Sequence, residues 1–377
     1  MKPDGPLAGV RVADFSRVLA GPYATMMLAD LGADVIKIEG PAGDETREWV
    51  PPADRLGRSA YFSSVNRNKR AVSLDLRHAG DRQRAVKLAL SADVVVENFR
   101  PGVMDRFGLD YRTLRAENDR LIYCSITGFG EGAGAALPGY DLIVQAVGGL
   151  MSVTGPEVGG PYKAGVALVD VITGMNSAIG ILAALRSRDQ TGLGQRIEVN
   201  LLNSMLSALV NQAVGALVTG ESPVRMGNAH PSIAPYETFH AADGDIVIAA
   251  GNDRQFDDLL MVLGLDDLRP DPRFGTNSDR VENRESLKAV LEQALKDKPA
   301  WEWVKLLNDR GVPAGRVNTV LEAIELAVAL ELDPVVTVGD PGAEHVVIAN
   351  PISLSRTPAT YRLPPPEKAD HEVWWAE

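Results

Sequence analysis

An α/β protein built on a parallel sheet, followed by a second, smaller α+β domain, is the fold that the sequence predicts. Three observations carry this. Short apolar strands alternate with helical stretches through the first hundred residues. Two segments, 170–185 and 201–218, are filled with small apolar residues and read as buried helices. Around Thr219–Pro223 the character changes, and a hairpin and charged helices follow.

Val10–Phe15 alternates as a short strand. Gly21-Pro22 opens an apolar-periodic helix over Tyr23–Leu31, with proline at a favoured first position, and Gly32 closes it. Asp34–Glu39 is the next strand, and the pattern repeats with a helix near Gly80–Leu90 and a strand at Ala92–Glu97. Further strands are expected at Leu121–Ile126, before Gly128-Phe129-Gly130, and at Gln195–Val199. Between about 225 and 325, Tyr236–His240 and Ile246–Ala250 flank Asp243-Gly244 as a hairpin, and Trp301 and Trp303 lie on charged helices. The last fifty residues return to strands and end in a Pro364-Pro365-Pro366 tail.

The chain of 377 residues is 45% hydrophobic and 23% charged, which excludes disorder and a disulfide scaffold. No run approaches the roughly 18 apolar residues of a bilayer span, so no membrane association is expected. Met1–Pro6 has no apolar core of a signal peptide. A single cysteine, Cys124, fits a reducing, cytoplasmic setting. The formal charge of −12 argues against nucleic acid but leaves a small anionic ligand open to a few placed arginines.

Several common chemistries drop out. The first strand–helix turn reads Ser16-Arg17-Val18-Leu19-Ala20-Gly21-Pro22, without the glycines that admit a pyrophosphate, although Glu39 stands where a ribose-binding acid would. None of the 5 histidines has metal-ligand spacing with another or with Cys124, so no metal is expected. No Gly-x-Ser-x-Gly elbow occurs.

Three stretches are more informative. Asn66-Arg67-Asn68-Lys69-Arg70 precedes a strand, Ala71–Leu76, that Arg77 ends; taken alone it reads as a solvated basic turn. Glu97-Asn98-Phe99-Arg100-Pro101-Gly102 follows an apolar strand, which puts Asn98 and Phe99 where open α/β sheets bind ligands. In Ala164–Met175, Asp170 falls where a strand-like segment meets an apolar helix, as an N-cap or as a catalytic carboxylate.

The stretches "DFSRVLAGPYATMMLADLGADVIKIEGPAGD", "NRNKRAVSLDL", "DVVVENFRPGVMDRFGLDY", "GYDLIVQAVGGLMSVTG" and "AGVALVDVITGM" occur in that order. Together with "GNAHPSIAPYETF", "GNDRQF" and "GVPAGRV", they resemble the family III CoA-transferases over roughly residues 6–360. The resemblance implies a large Rossmann-like domain, 1–220 completed by 326–377, with a small α+β domain, 225–325, inserted into it. It also implies a homodimer of interlinked chains. Asp170 falls on the family's catalytic aspartate. Ala20, Leu74, Arg77, Asn98, Phe99, Arg106, Tyr140 and Asp141 fall on or beside positions that hold CoA, and Arg77 and Arg106 are suited to its phosphates. Coenzyme A would be a co-substrate, with acyl-CoA and a carboxylic acid as partners and no tightly bound cofactor.

The implied reaction passes CoA between carboxylic acids through an aspartyl anhydride and an aspartyl-CoA thioester. Backbone amides near Gly148-Gly149 or in the 227–235 loop are candidates for its oxyanion donors. Two alternatives stay open: an α-methylacyl-CoA racemase, and CoA binding without turnover. Racemases of this family have His where Tyr140 stands, and a tyrosine with an ordinary pKa of about 10 is a poor base. Where relatives acting on formyl-CoA and oxalate have a run of glycines, this chain has His230-Pro231-Ser232-Ile233, which argues against that pair. The family's "LGEHT" is replaced by Pro366-Glu367-Lys368-Ala369-Asp370-His371.

Overall fold

A computed structural model describes residues 5–367, 369 and 372–375. Lys368, Asp370 and His371 of the unusual tail lie outside the described residues. The chain divides into two compact units: one comprises residues up to Leu150, Ala164–Glu221 and Leu330 onward; the other comprises Met151–Lys163 and Ser222–Ala329.

The first unit is built on six parallel strands: β1 (Arg11–Asp14), β2 (Asp34–Glu39), β3 (Lys69–Ser73), β4 (Val94–Glu97), β5 (Ile122–Thr127) and β6 (Arg196–Asn200). Their order is β3-β2-β1-β4-β5-β6. Strand residues alternate between two apolar cores, so both faces are covered. Val12, Val94 and Val96 join one core, and Ala13 and Val95 the other. The helices of this unit are α1 (Ala20–Asp30), α2 (Ala60–Val65), α3 (Ala79–Leu90), α4 (Tyr111–Glu117), α5 (Asp141–Val147), α7 (Leu168–Thr191), α8 (Leu201–Ala208) and α9 (Val210–Thr219), while α6 (Leu150–Val153) begins at its boundary with the second. The parallel sheet agrees with the alternating pattern of the sequence.

Three features of the fold bear on these expectations. First, α7 has the length and composition of a membrane-spanning helix, although no unbroken apolar run of that length occurs in it. In the fold it packs on α1, β5 and β6. A side chain at Gly174 would place its Cβ 2.6 Å from the Ala20 carbonyl oxygen, so glycine is what lets the two helices approach.

Second, the apolar stretch 201–218 is two helices bent by 83°, with Val210 at φ 44° at the break. No residue of α9 is buried within the chain, and Leu217 is 85% exposed. Third, Asn66–Lys69 is no solvated turn; all four residues are buried. Arg67 makes paired hydrogen bonds to Asp30 at 3.0 and 2.6 Å, and Lys69 lies inside the start of β3. Buried carboxylates from other elements draw these basic side chains inward, and a charge run read alone does not show them.

The second unit has an antiparallel sheet in the order β7 (Tyr236–His240), β8 (Asp245–Ala249), β9 (Ala314–Arg316). Helices α10 (Asp253–Leu263), α11 (Asn277–Glu282), α12 (Arg284–Leu295) and α13 (Ala300–Asp309) accompany it, and α14 (Val320–Ala329) ends the unit. Phe239, Ile246, Leu259 and Trp303 lie in its core. Back in the first unit, β10 (Val335–Val338) and β11 (His345–Ile348) pair antiparallel, and the tail docks Trp375 into the core with its indole N–H on Ser91 at 2.8 Å.

Candidate active site

The strand order reverses between β1 and β4, and doubly wound sheets open a ligand crevice at that point, beyond the strands' carboxyl ends. The segments following these two strands line one cleft. Asn98 ties them together: its Oδ1 accepts from the Arg17 amide at 2.9 Å, and its Nδ2 donates to the Arg17 carbonyl at 2.8 Å. Val18, next along, holds φ 66°, a left-handed conformation that a β-branched residue adopts only when its surroundings impose it.

Buried groups impose it. The Lys37 ammonium donates to the Ser16 carbonyl at 2.9 Å and pairs with Asp44 at 2.8 Å, while Asp44 accepts from the Val18 amide at 3.3 Å. Burial would raise the Asp44 carboxyl, but Lys37 and hydrogen bonds from Thr46 outweigh it and hold the group below the usual range.

Phe99 forms part of the opposite wall, with the Arg17 guanidinium 5.2 Å from its ring centroid. Its amide donates to Glu97 at 2.9 Å, and the other oxygen of Glu97 accepts from the Ser125 hydroxyl at 2.5 Å. Burial pushes this Glu97 carboxyl up to about 7. Gly128 and Gly139 carry the chain past each other so closely that a Cβ on either would lie 2.4 Å from the other's Cα. The half-open Tyr140 follows directly and lines the cleft, 59% exposed.

Asp170 lines the same cleft as the third residue of α7. It is not the cap of that helix: the N-cap is Ala167, which supplies no side-chain bond. Asp141, first residue of α5, takes over this task, its Oδ1 accepting from the amides of Val169 at 2.8 Å and Asp170 at 3.2 Å. Among the described residues the Asp170 carboxylate has no hydrogen-bond or ion-pair partner. Burial, and then the charge of Asp141, push its carboxyl up to about 7. A carboxylate left basic and unpaired in an accessible cleft is equipped to act as a nucleophile or a base.

Of the residues expected from sequence, the fold brings Ala20, Asn98, Phe99, Tyr140 and Asp170 to one cleft. Asp141 stands behind it. Leu74 is a core residue, 2% exposed. Arg77 projects into solvent with its side chain 80% exposed and fork-bonded to Asp75 at 2.8 Å, and Arg106 is exposed on the short 3₁₀ turn Asp105–Phe107. None of these last three lines the cleft. Sequence reasoning overlooked Arg17, Leu19, Glu45 and Arg100 as lining residues and Lys37 and Asp44 as their support. Arg17 and Leu19 were within reach, being neighbours of Ala20; Lys37 was not, because a lysine inside an apolar strand pattern signals no partner.

The model of "CoA-transferase family III" matches residues 7–372. The succinate–glutarate CoA-transferase of Agrobacterium fabrum is 42% identical, over 98% of this chain and 94% of its own. The acetyl-CoA:oxalate CoA-transferase of Acetobacter aceti is 41% identical, over 98% and 95%. Among solved structures, a CAIB/BAIF family protein from Brucella suis superposes with a TM-score of 0.88 at 43% identity, covering 98% of this chain and 97% of that one.

Proposed function

The chain belongs to CoA-transferase family III, and on that premise we propose that it moves CoA between two carboxylic acids with Asp170 as the nucleophile. The observation that carries this reading is the unpaired Asp170 carboxylate, pushed up to about 7 in the cleft at the sheet's switch point. Asp170 attacks the thioester carbonyl, the C–S bond breaks, and a mixed anhydride and CoA thiolate result. The thiolate attacks the aspartyl carbonyl, giving an aspartyl-CoA thioester and releasing the donor acid. The acceptor carboxylate then attacks that thioester, and the returning thiolate takes the acceptor's acyl group and frees Asp170.

A thioester is exchanged for a thioester, so the reaction is close to isoenergetic and balances without ATP. A carboxylate is a modest nucleophile, and the rate rests on holding it against the carbonyl and on oxyanion donors. The names of the relatives support small dicarboxylates, with succinyl-CoA as the first donor to try. A racemase would need a second base facing Asp170, and the fold brings Tyr140 to the cleft where racemases of the family have a histidine.

The reading includes a homodimer and a cytoplasmic setting. Supporting the dimer, α9 buries nothing within its own chain, and Val320 and Leu321 of α14 are 79% and 73% exposed. Exchange of labelled succinate or glutarate into succinyl-CoA, with mass spectrometry of a trapped CoA adduct on Asp170, tests the chemistry. Deuterium wash-in at the α-carbon without acid exchange would overturn it. A folded, active monomer in sedimentation at micromolar concentration would remove the dimer.

A further inference from the structure

We propose that Asp141 is the positioning residue of this reaction: from a different helix, it caps the first turn of α7 and thereby fixes where and in what state the Asp170 carboxylate meets the thioester. This rests on the reading of Asp170 as the nucleophile.

A long helix needs acceptors for its first amides, and a serine, threonine or aspartate at the N-cap usually provides them. In α7 that place is Ala167, which cannot. The acceptor comes instead from α5: Asp141 Oδ1 binds the amides of Val169 and of Asp170 itself. The other oxygen is also held. Asp141 Oδ2 accepts from Gln145 Nε2 at 2.6 Å, one turn further along α5.

Gln145 is fully buried and reaches the approaching chain on its other side, its Oε1 accepting from the Ala164 amide at 2.8 Å and its Nε2 facing the Val166 carbonyl at 3.4 Å. Two side chains of one short helix therefore hold both the segment entering α7 and its first turn. Because the capping is done from outside, the Asp170 carboxylate is not drawn into serving the first amides of its own helix.

The arrangement also has an electrostatic consequence. An acid in the first turn of a helix is ordinarily stabilised in its charged form by the helix dipole. Asp141 brings a second negative charge to that end of α7 and works against this. The charged and titratable groups on the elements around Asp170 are Asp141 from α5, Tyr61 from α2, Tyr23 from α1, and Arg17, Glu45, Arg100 and Tyr140 along the cleft. After burial, Asp141 is the neighbour whose charge acts on it. Burial pushes the Tyr61 hydroxyl up to about 12, with the charges of Asp170, Asp141 and Asp44 adding to it. A more basic carboxylate is the better nucleophile, provided the pH keeps it ionised.

The test uses the full-length enzyme with Asp141→Asn, which retains an oxygen for the two amides and removes the charge. The expected result is a kcat lower by about tenfold to a hundredfold with KM for acyl-CoA changed by less than about threefold. The acid limb of the kcat profile should also move about one pH unit lower. A merely structural role would not move that limb. If the asparagine variant does not fold, Asp141→Ser carries the same test with a single capping oxygen. With Asp170→Asn inactive, an unchanged kcat or an unmoved limb overturns the proposal. An active Asp170→Asn overturns instead the assignment of the nucleophile, so the two failures are distinguishable.

Discussion

Two acidic sites in the first unit differ in what surrounds them. Behind the cleft, Asp14 is fully buried, yet Lys69 approaches at 3.2 Å and the hydroxyl of Thr25 at 2.6 Å, and Ser16 also donates to it. Burial alone would raise its carboxyl; Lys69, Lys37 and these hydroxyls outweigh it and bring the group below the ordinary value. Lys69 in turn spends its remaining protons on the Pro22 carbonyl at 2.9 Å and the Asn66 side chain at 3.0 Å. Asp170 has burial and a second acid nearby but no cation paired with it, and its carboxyl moves up, to about 7. Burial by itself therefore does not say what an aspartate is for. The sign of the surrounding field separates them: the compensated acid is held below its ordinary value, and the uncompensated one is left basic.

The largest expected effect breaks the comparison at its reactive end. Asp170→Asn should lower CoA transfer by at least about a thousandfold while leaving acyl-CoA binding near wild type, measured by thioester exchange and by calorimetry. Retention of a tenth of the activity would place the chemistry elsewhere. Next comes the structural end. Lys69→Met leaves the buried Asp14 without its ion-pair partner, which costs about 3–5 kcal/mol, and thermal unfolding should occur roughly 10 °C lower. An unchanged melting temperature would show that Lys37 and the hydroxyls suffice for Asp14 without Lys69.

A subtler test uses pH and sets the two acids against each other. For Asp170 the folded value lies above the unfolded one, so its contribution to stability is complete below the unfolded pKa and is lost as pH rises through about 7. At pH 8, Asp170→Asn should therefore melt a few degrees higher than wild type even though it is inactive. The Asp14 contribution has the opposite sign, present above the unfolded pKa and lost as pH falls through its depressed folded value. The transfer rate of the wild-type enzyme should fall below pH about 7, as Asp170 takes up its proton. The smallest effect belongs to a third environment, an exposed guanidinium. The Arg77 side chain stands 80% exposed beside the largely covered Asp75, where screening is strong, and Arg77→Ala should raise KM for acyl-CoA by no more than about threefold at physiological salt, with kcat unchanged.

Much of the scaffold was legible in the residues. Asp34–Glu39 is the strand expected, and the helix after Gly21-Pro22 and the strand before Asn98 lie within a few residues of their predicted bounds. These features are written in neighbouring residues, through two-residue and 3.6-residue periodicity and through proline and glycine at the ends. The crevice followed as well, because the strand pattern puts Asn98 and Phe99 at a carboxyl end. The resemblance to a known family added Asp170, Tyr140 and Ala20 to the same cleft.

The environment of each of those residues was not legible. The sequence by itself determined an α/β sheet, the strand ends that line the cleft and a carboxylate at the start of an apolar helix. The tertiary structure decided that Lys69 is buried against Asp14, 55 residues away. It also decided that Asn98 clasps the backbone of Arg17, 81 residues away, and that Asp141 rather than Asp170 caps α7 across 28 residues. Periodicity and turn chemistry act over a single element, so local sequence reports them. A carboxylate's partner, and with it the direction of its pKa, depends on which elements dock against one another, and that is settled only when the whole sheet and its helices come together.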